Sequence, residues 1–485
     1  MSRACCVIVI VYITSSSALA LETRYHASER AKLMEVYREA VMHNSELAAA
    51  RADFEARRET VPQARANLLP TISSGAIIES TRLERDEPQL TRLRNGTTFQ
   101  ANLKQPLFNA EFWFGLKAAE ATTSQASLEL SAKEQELILK SAETYFETLR
   151  ASDERAASEA EETALKQQMD QAQARLKGGL SSITDVLDAQ AAFDNAQAIR
   201  KLAERKVEDA FEQMVRLTNH YYESIEGIQH KLPILPPVPE DAKTWVDAAL
   251  RQNLMLQASN HAVQAAEETL SQRQAGHAPT LDAVASYRKG DNDSFGYSNP
   301  TDFGRNGYQG NVSQSSIALQ INVPLYNGGR VNSQTRESYK RLTQSEELRE
   351  TQRREVLFDT RNFYRAVNSD IEQILARKKT ILSSQRSLKA SKVGADIGTR
   401  NTVDVLNAQR QLFNAVRDYN NARYDYVLNN LRLKQAVGTL SPLDLENLAQ
   451  YLKTDYEPRQ DFLPPELTPE DFKQRETTIS KPILP

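Results

Sequence analysis

The chain repeats itself, and that repeat limits its folds more than any other feature. Gly179-Leu180-Ser181-Ser182-Ile183-Thr184-Asp185-Val186-Leu187-Asp188-Ala189-Gln190 recurs as Gly398-Thr399-Arg400-Asn401-Thr402-Val403-Asp404-Val405-Leu406-Asn407-Ala408-Gln409, with six of twelve positions identical at an offset of 219. Pro106-Leu107-Phe108-Asn109 is echoed by Pro324-Leu325-Tyr326-Asn327 at 218, and Leu69-Pro70-Thr71 by Ala278-Pro279-Thr280 at 209. Any one echo could be chance. Three in the same order, at nearly constant offset, mean an internal duplication. The 485 residues are therefore read as two copies of one unit rather than as three domains.

The expected organisation is a cleaved leader over 1–20, a first repeat over 21–218, a linker over 219–240, a second repeat over 241–450 and a flexible tail over 451–485. Met1-Ser2-Arg3 is a short basic start, Ala4 to Ile13 an apolar run, and Ala18-Leu19-Ala20 a small-residue cleavage signal. Both cysteines, Cys5 and Cys6, fall within that leader, so disulfides, thiolate metal sites and a lipid anchor on the mature N-terminus are not expected. The prolines from Pro458 onward favour a loosely ordered extension.

Each repeat reads alike. A helix comes first, over 31–66 and 241–277, with Pro62 interrupting the first near its end. Strands follow. Phe99, Ala101 and Leu103 alternate with Gln100, Asn102 and Lys104; Leu281, Ala283, Ala285 and Tyr287 alternate with Asp282 and Ser286, with Val284 the exception. Ile317, Leu319, Ile321, Val323 and Leu325 alternate with Ser316, Ala318, Gln320 and Asn322. Period two predicts strands with one apolar and one polar face. The stretches 84–96 and 288–311 read as loops. Proline-free helical text then covers 109–177 and 327–396, each about 100 Å at ~1.5 Å per residue. Shorter helices over 182–218 and 401–437 follow the glycine turns Gly178-Gly179 and Gly398-Thr399. Helices so long and polar should pack as coiled-coil-like pairs.

No apolar run after the leader reaches the length of a helical membrane span. Mean hydropathy is −0.56 and net charge −4, which also removes a binder of nucleic acid driven by overall basic charge. The alternating strands nevertheless carry the signature of a transmembrane β-barrel. Four strands cannot close one, and lipid does not tolerate open strand edges. Several copies must share a barrel; three would supply twelve strands. Phe108, Phe112, Trp113 and Phe114 cluster where strand becomes helix, as an interfacial girdle would.

The motifs Leu69-Pro70-Thr71, Pro106-Leu107-Phe108, Arg175-Leu176-Lys177-Gly178-Gly179-Leu180, Pro324-Leu325-Tyr326-Asn327-Gly328-Gly329, Gly398-Thr399-Arg400 through Leu406, and Gln435-Ala436-Val437-Gly438-Thr439-Leu440 resemble the TolC family of outer-membrane efflux ducts. The likeness spans about 31–450 and is nearer to TolC-type members than to the lipidated branch. It implies an α+β membrane protein, a homotrimer whose long α-helical hairpins form a barrel continuous with a β-barrel of four strands per protomer. It further implies an outer-membrane location reaching into the periplasm, and export of drugs, toxic small molecules or proteins. Docking on a periplasmic adaptor and an inner-membrane RND-type or ABC-type transporter would open the periplasmic end.

The same resemblance places an acidic entrance ring on Asp404, with Asn407 where a second aspartate is expected. It places a closed-state latch on Arg400 with Thr184 or Asp185, and adaptor contacts on the turns Gly179, Leu180, Ser181, Gly398 and Thr399. A tyrosine expected before the turn is Ala395, and Asp188 or Asp396 are candidates to replace the missing carboxylate. Read without the family, Asp185 and Asp404 are simply first-turn carboxylates favoured by the helix dipole. The six histidines lack metal-ligand spacing, and no nucleophile elbow, phosphate loop or dinucleotide fingerprint occurs, so neither cofactor nor enzyme activity is expected. The competing reading is a secreted or periplasmic coiled-coil structural protein or adhesin, against which the alternating strands speak.

Overall fold

A computed structural model describes residues 30–86, 90–179, 182–291 and 311–461. The expected leader, Leu180, Ser181, most of the 288–311 stretch and the tail from 462 lie outside the described residues.

The first unit starts with α1 (Leu33–His43), α2 (Ser45–Arg58) and α3 (Thr60–Ala66), continues through β1 (Thr71–Arg85) and β2 (Leu90–Phe108), and ends with α4 (Ala110–Lys177) and α5 (Ile183–Thr218). A linker containing β3 (Gly227–Ile228) leads to α6 (Ala242–Gln252), α7 (Leu254–Gln274), a 3-10 turn at Ala275–His277, β4 (Thr280–Asp291), β5 (Asn311–Asn322), α8 (Arg330–Asp396) and α9 (Thr402–Val437). The chain closes with α10 (Pro442–Ala449), β6 (Leu452–Lys453) and α11 (Pro458–Asp461).

The long helices pair because small or apolar side chains recur every seven residues. On α4 the buried series is Leu137, Thr144, Ala151, Ser158, Leu165 and Ala172; on α5 it is Ala189, Ala196, Ala203, Ala210 and Leu217. On α8 Thr360, Val367, Ile374 and Ile381 keep the same step, and on α9 Val405, half-buried Leu412, Tyr419, Tyr426 and Leu433 keep it. A sustained seven-residue period against a 3.6-residue turn makes the pairs wind left-handedly round each other. Alanine at four α5 positions lets the backbones of the first hairpin approach closely. Ion pairs across each seam lie outside the apolar row, such as Lys206 with Glu154 at 2.9 Å and Arg377 with Asp418 at 2.8 Å.

The short helices depart from expectation. The helix expected over 31–66 breaks at Asn44 and Glu59, the latter three residues ahead of Pro62, and the helix expected over 241–277 breaks at Asn253. Asn44 Oδ1 accepts from the Leu47 amide at 2.9 Å, and Asn253 Oδ1 from the Leu256 amide at 2.9 Å. These caps lie 209 residues apart, the offset of the Leu-Pro-Thr echo, so the break is itself duplicated. Both expected loops are also shortened by strand. β1 reaches Arg85 and β2 begins at Leu90, while β4 runs to Asp291. Polar residues occupy both faces there, so pairing continues where the alternation can no longer be read.

A belt at mid-height of α4 ties the two units together. Ala31 bridges to Ile225, β3 pairs with β6, and the Tyr145 hydroxyl donates to the Glu226 carbonyl at 2.6 Å. Arg150 meets Asp425 at 2.7 Å and Arg432 meets Glu143 at 2.8 Å, joining α4 to α9. Residues 452–461 correct the expectation of a loose tail from 451: Tyr456 is 3% exposed and its hydroxyl donates to Asp153. Asp153 also accepts from the Tyr424 hydroxyl at 2.5 Å and from Asn420 at 3.3 Å. Buried Arg423 donates to the Gln229 carbonyl and lies 3.1 Å from His230 Nδ1, whose other ring nitrogen is 2.9 Å from the Asp461 carbonyl. An unpaired charge is costly at such depth, so the segment is held by donors aimed at a buried carboxylate.

Burial raises Asp153 to about 6, opposed by its tyrosine hydrogen bonds, and burial with the Arg423 charge lowers His230 to about 4. The signs are opposite. Asp153 favours the folded state below its unfolded range and loses that contribution as pH rises to about 6. His230 contributes above its unfolded value and loses that as pH falls to about 4. Comparison with Asp153→Asn isolates the first effect. The thermal midpoint of wild type relative to this variant should fall between pH 4 and 6. The loss is on the order of 3 kcal/mol. A difference that does not vary with pH would contradict the assignment.

Candidate functional site

The sheet order is β1-β2-β4-β5, antiparallel throughout, so the second unit's strands continue the first unit's sheet. Register decides what each face presents, because residues directly opposite share a face. Ile72, Leu103, Ala285 and Ile317 form one rung; Ala283 faces Leu319 and Leu281 faces Ile321. In the protomer Ile72 is 76% exposed, Ile317 90% and Leu319 70%. The other face carries Gln100, Asn102, Lys104, Asp282, Ser286, Arg288, Gln314, Ser316 and Gln320. Lys104 pairs with Asp282 at 2.9 Å and Ser286 meets Ser316 at 2.8 Å. Val284 does lie on this polar face, beside Lys104. One wall is thus built for an apolar solvent and the other for water.

β2 bulges between Pro106 and Phe108, and the strand then becomes α4. Asn109 caps that helix by accepting from the Phe112 amide at 3.2 Å. The aromatic cluster is divided by this turn: Phe108 and Trp113 are exposed, whereas Phe112 and Phe114 are half-buried and Lys117 stands 5.8 Å over the Phe114 ring.

At the opposite end of the long helices the two hairpin turns repeat one device. Gly179 and Gly398 adopt φ of +72° and +78°, the left-handed region where a side chain is strained. Gly394 O accepts from the amides of Thr399 at 2.8 Å and Arg400 at 3.1 Å, and from the Thr399 hydroxyl at 3.1 Å. Asn401 and Asp404 cap each other's amides, as Ser182 and Asp185 do in the first repeat. The duplication therefore aligns Asp185 with Asp404 and Asp188 with Asn407. Asp185 and Asp404 are half-buried; Thr184, Asp188 and Asn407 are exposed. The Asp396 side chain lies outside the described residues. Arg400 rests against its own turn, its stem close to Gly394. The sequence reading missed a groove beside this turn, lined by Arg386, Lys389, Val393, Ile397 and Arg400. Its signal was two cations three residues apart on one helical face.

A sheet with a lipid face and a wet face, set on helical hairpins too long for a single core, defines an outer-membrane duct. The family described as outer membrane efflux protein matches residues 36–220 and 245–439, and the chain belongs to that family, one of transport channels. It is 33% identical over 435 residues to outer membrane protein TolC of Vibrio cholerae serotype O1, covering 90% of this chain and 97% of that protein. It is 27% identical over 426 residues to the alkaline protease secretion protein AprF of Pseudomonas aeruginosa, covering 86% of each. Its fold superposes on the crystal structure of CusC with a TM-score of 0.74 at 16% identity, over 86% of this chain and 95% of that one. The protein is an outer-membrane efflux channel of the TolC type whose helices extend through the periplasm.

The capping geometry separates two roles of the tunnel-end residues. Asn401→Ala should cost about 1 kcal/mol of local helix stability. It should speed amide exchange at residues 402–405 while leaving ion selectivity unchanged, since Asn401 carries no charge. A changed selectivity would mean the cap itself governs permeation.

Proposed function

We propose that three copies close one barrel of twelve strands in the outer membrane and one helical tunnel below it, through which drugs, toxic small molecules or proteins leave the cell. The supporting observation is the two-faced sheet: its apolar rungs are exposed in the protomer, and its edge strands β1 and β5 have no further partner among the described residues. Backbone groups left unpaired in hydrocarbon cost several kcal/mol each, so an open edge demands a neighbouring copy. Export of proteins is suggested by the likeness to AprF, a protein named for protease secretion. The tunnel takes its cargo from a periplasmic adaptor and an RND-type or ABC-type inner-membrane transporter that dock at the turns Gly179, Leu180, Ser181, Gly398 and Thr399.

Around the tunnel axis, three copies of Asp404 form the acidic entrance, with Asn407 one turn away contributing no charge. Two carboxylates about 6 Å apart repel by roughly 3 kcal/mol at an effective dielectric near 20. Such a ring favours cations and repels anions. Arg400 of one protomer reaches Thr184 or Asp185 of its neighbour and offsets the repulsion in the closed state. Phe108, Phe112, Trp113 and Phe114 mark the level where barrel meets tunnel.

In planar-bilayer recordings Asp404→Ala should lower cation preference and weaken block by multivalent cations; unchanged selectivity would remove Asp404 from the ring. Arg400→Ser should raise the conductance of the closed channel several-fold, and a closed state of wild-type conductance would remove it from the latch.

A further inference from the structure

The apolar row of β5, Ile317, Leu319 and Ile321, continues past the strand through Val323 and Leu325, the latter 92% exposed. Five residues later α8 begins, and its first three turns are rich in cations. Arg330, Arg336 and Lys340 are exposed, and none has an acidic partner among the described residues. The sole acid between 330 and 345 is Glu337, taken by Arg341 through two bonds of 2.8 and 3.0 Å. Farther down the same helix arginines are neutralised: Arg353 and Arg354 both pair with Glu350. The cations do not serve the helix that carries them. Its first turn has no acidic residue, although the dipole favours negative charge there. Nor do they follow the composition, since the whole chain carries a net charge of −4. Aromatic rings accompany them: Lys340 lies 5.6 Å over Tyr339, and exposed Trp113 stands in the first turn of α4, whose start packs near the start of α8.

We propose that Arg330, Arg336 and Lys340, with Lys117 and Trp113 of α4, form a collar that binds the anionic phospholipid headgroups of the membrane leaflet facing the helices. The inference rests on the reading that the apolar sheet face sits in lipid, and places its lower boundary at Leu325. Unpaired cations just beneath an apolar band complement a negatively charged bilayer surface, and amphipathic aromatics belong at that depth. The collar fixes how deep the channel sits, so that the tunnel projects a set distance towards its partners.

The test uses the full chain reconstituted in nanodiscs of equal parts phosphatidylcholine and phosphatidylglycerol, followed by mild extraction and assay of the lipid that stays bound. Wild type should retain phosphatidylglycerol over phosphatidylcholine by at least about fivefold, the effect of one cation at an anionic surface. Arg336→Gln with Lys340→Gln should lower that preference several-fold, Arg336→Lys with Lys340→Arg should keep it, and salt of about 0.5 M should weaken it in wild type. Equal retention of both lipids by wild type, or undiminished preference in the double glutamine variant, would overturn the collar. A chain that enters nanodiscs of neither phosphatidylcholine alone nor the mixture would instead overturn the barrel reading, and the collar with it.

Discussion

Unpaired backbone at the two edges of one four-stranded sheet is the constraint on which the rest depends. Among the described residues β1 and β5 each have one side without a strand partner, presenting a row of amides and carbonyls, and the sheet's apolar face belongs in a solvent that offers no hydrogen bonds. In water such an edge can be capped by solvent or blunted by charge. In lipid it must be paired. In the proposed trimer such sheets meet edge to edge, and closure puts the face that carries Gln100, Asn102, Lys104, Asp282 and Arg288 around a wet lumen.

The helices obey the same closure with different chemistry. Seven-residue spacing of small and apolar residues along α4, α5, α8 and α9 gives each hairpin a narrow buried seam and leaves the remaining surface polar. A seam that narrow cannot collapse the hairpins into a solid bundle, so they stand as staves. The belt at Asp153 holds the staves of one protomer together: α4, α9, the linker and the C-terminal segment meet at a buried carboxylate and a buried guanidinium. Above it lies the barrel and below it the hairpin turns, where paired caps hold Asp185 and Asp404 at matching positions.

Much of this was legible in the sequence because the strands print a two-residue period, the helical text runs long, polar and free of proline, and glycine marks both hairpin turns; the seven-residue seam emerged only from burial. The breaks at Asn44 and Asn253 were not legible. Each sits in Ala-rich, polar helical text with no glycine nearby, and only its recurrence at the 209 offset distinguishes a cap from a surface asparagine. The segment at 452–461 was hidden by the proline-rich text that begins at Pro458, although Leu452 and Tyr456 are both buried. Asp153, Arg423 and His230 were hidden for a related reason. On a helix rich in charge, a buried carboxylate reads like its solvated neighbours until the fold brings Tyr424 and Tyr456 to it. Asp185 and Asp404 illustrate the converse: the capping box explains their position within the protomer, while the proposed acidic ring needs neighbouring copies.

Shared closure of one barrel is the central claim, and the number of chains that share it is its most direct measure. Native mass spectrometry of the full chain, extracted from membranes in mild detergent and released from the micelle in the gas phase, should give a single species of three chains that persists on dilution. A stable monomer or dimer under those conditions would contradict the account, because the open edges of β1 and β5 would then have to be satisfied without a closed ring of copies.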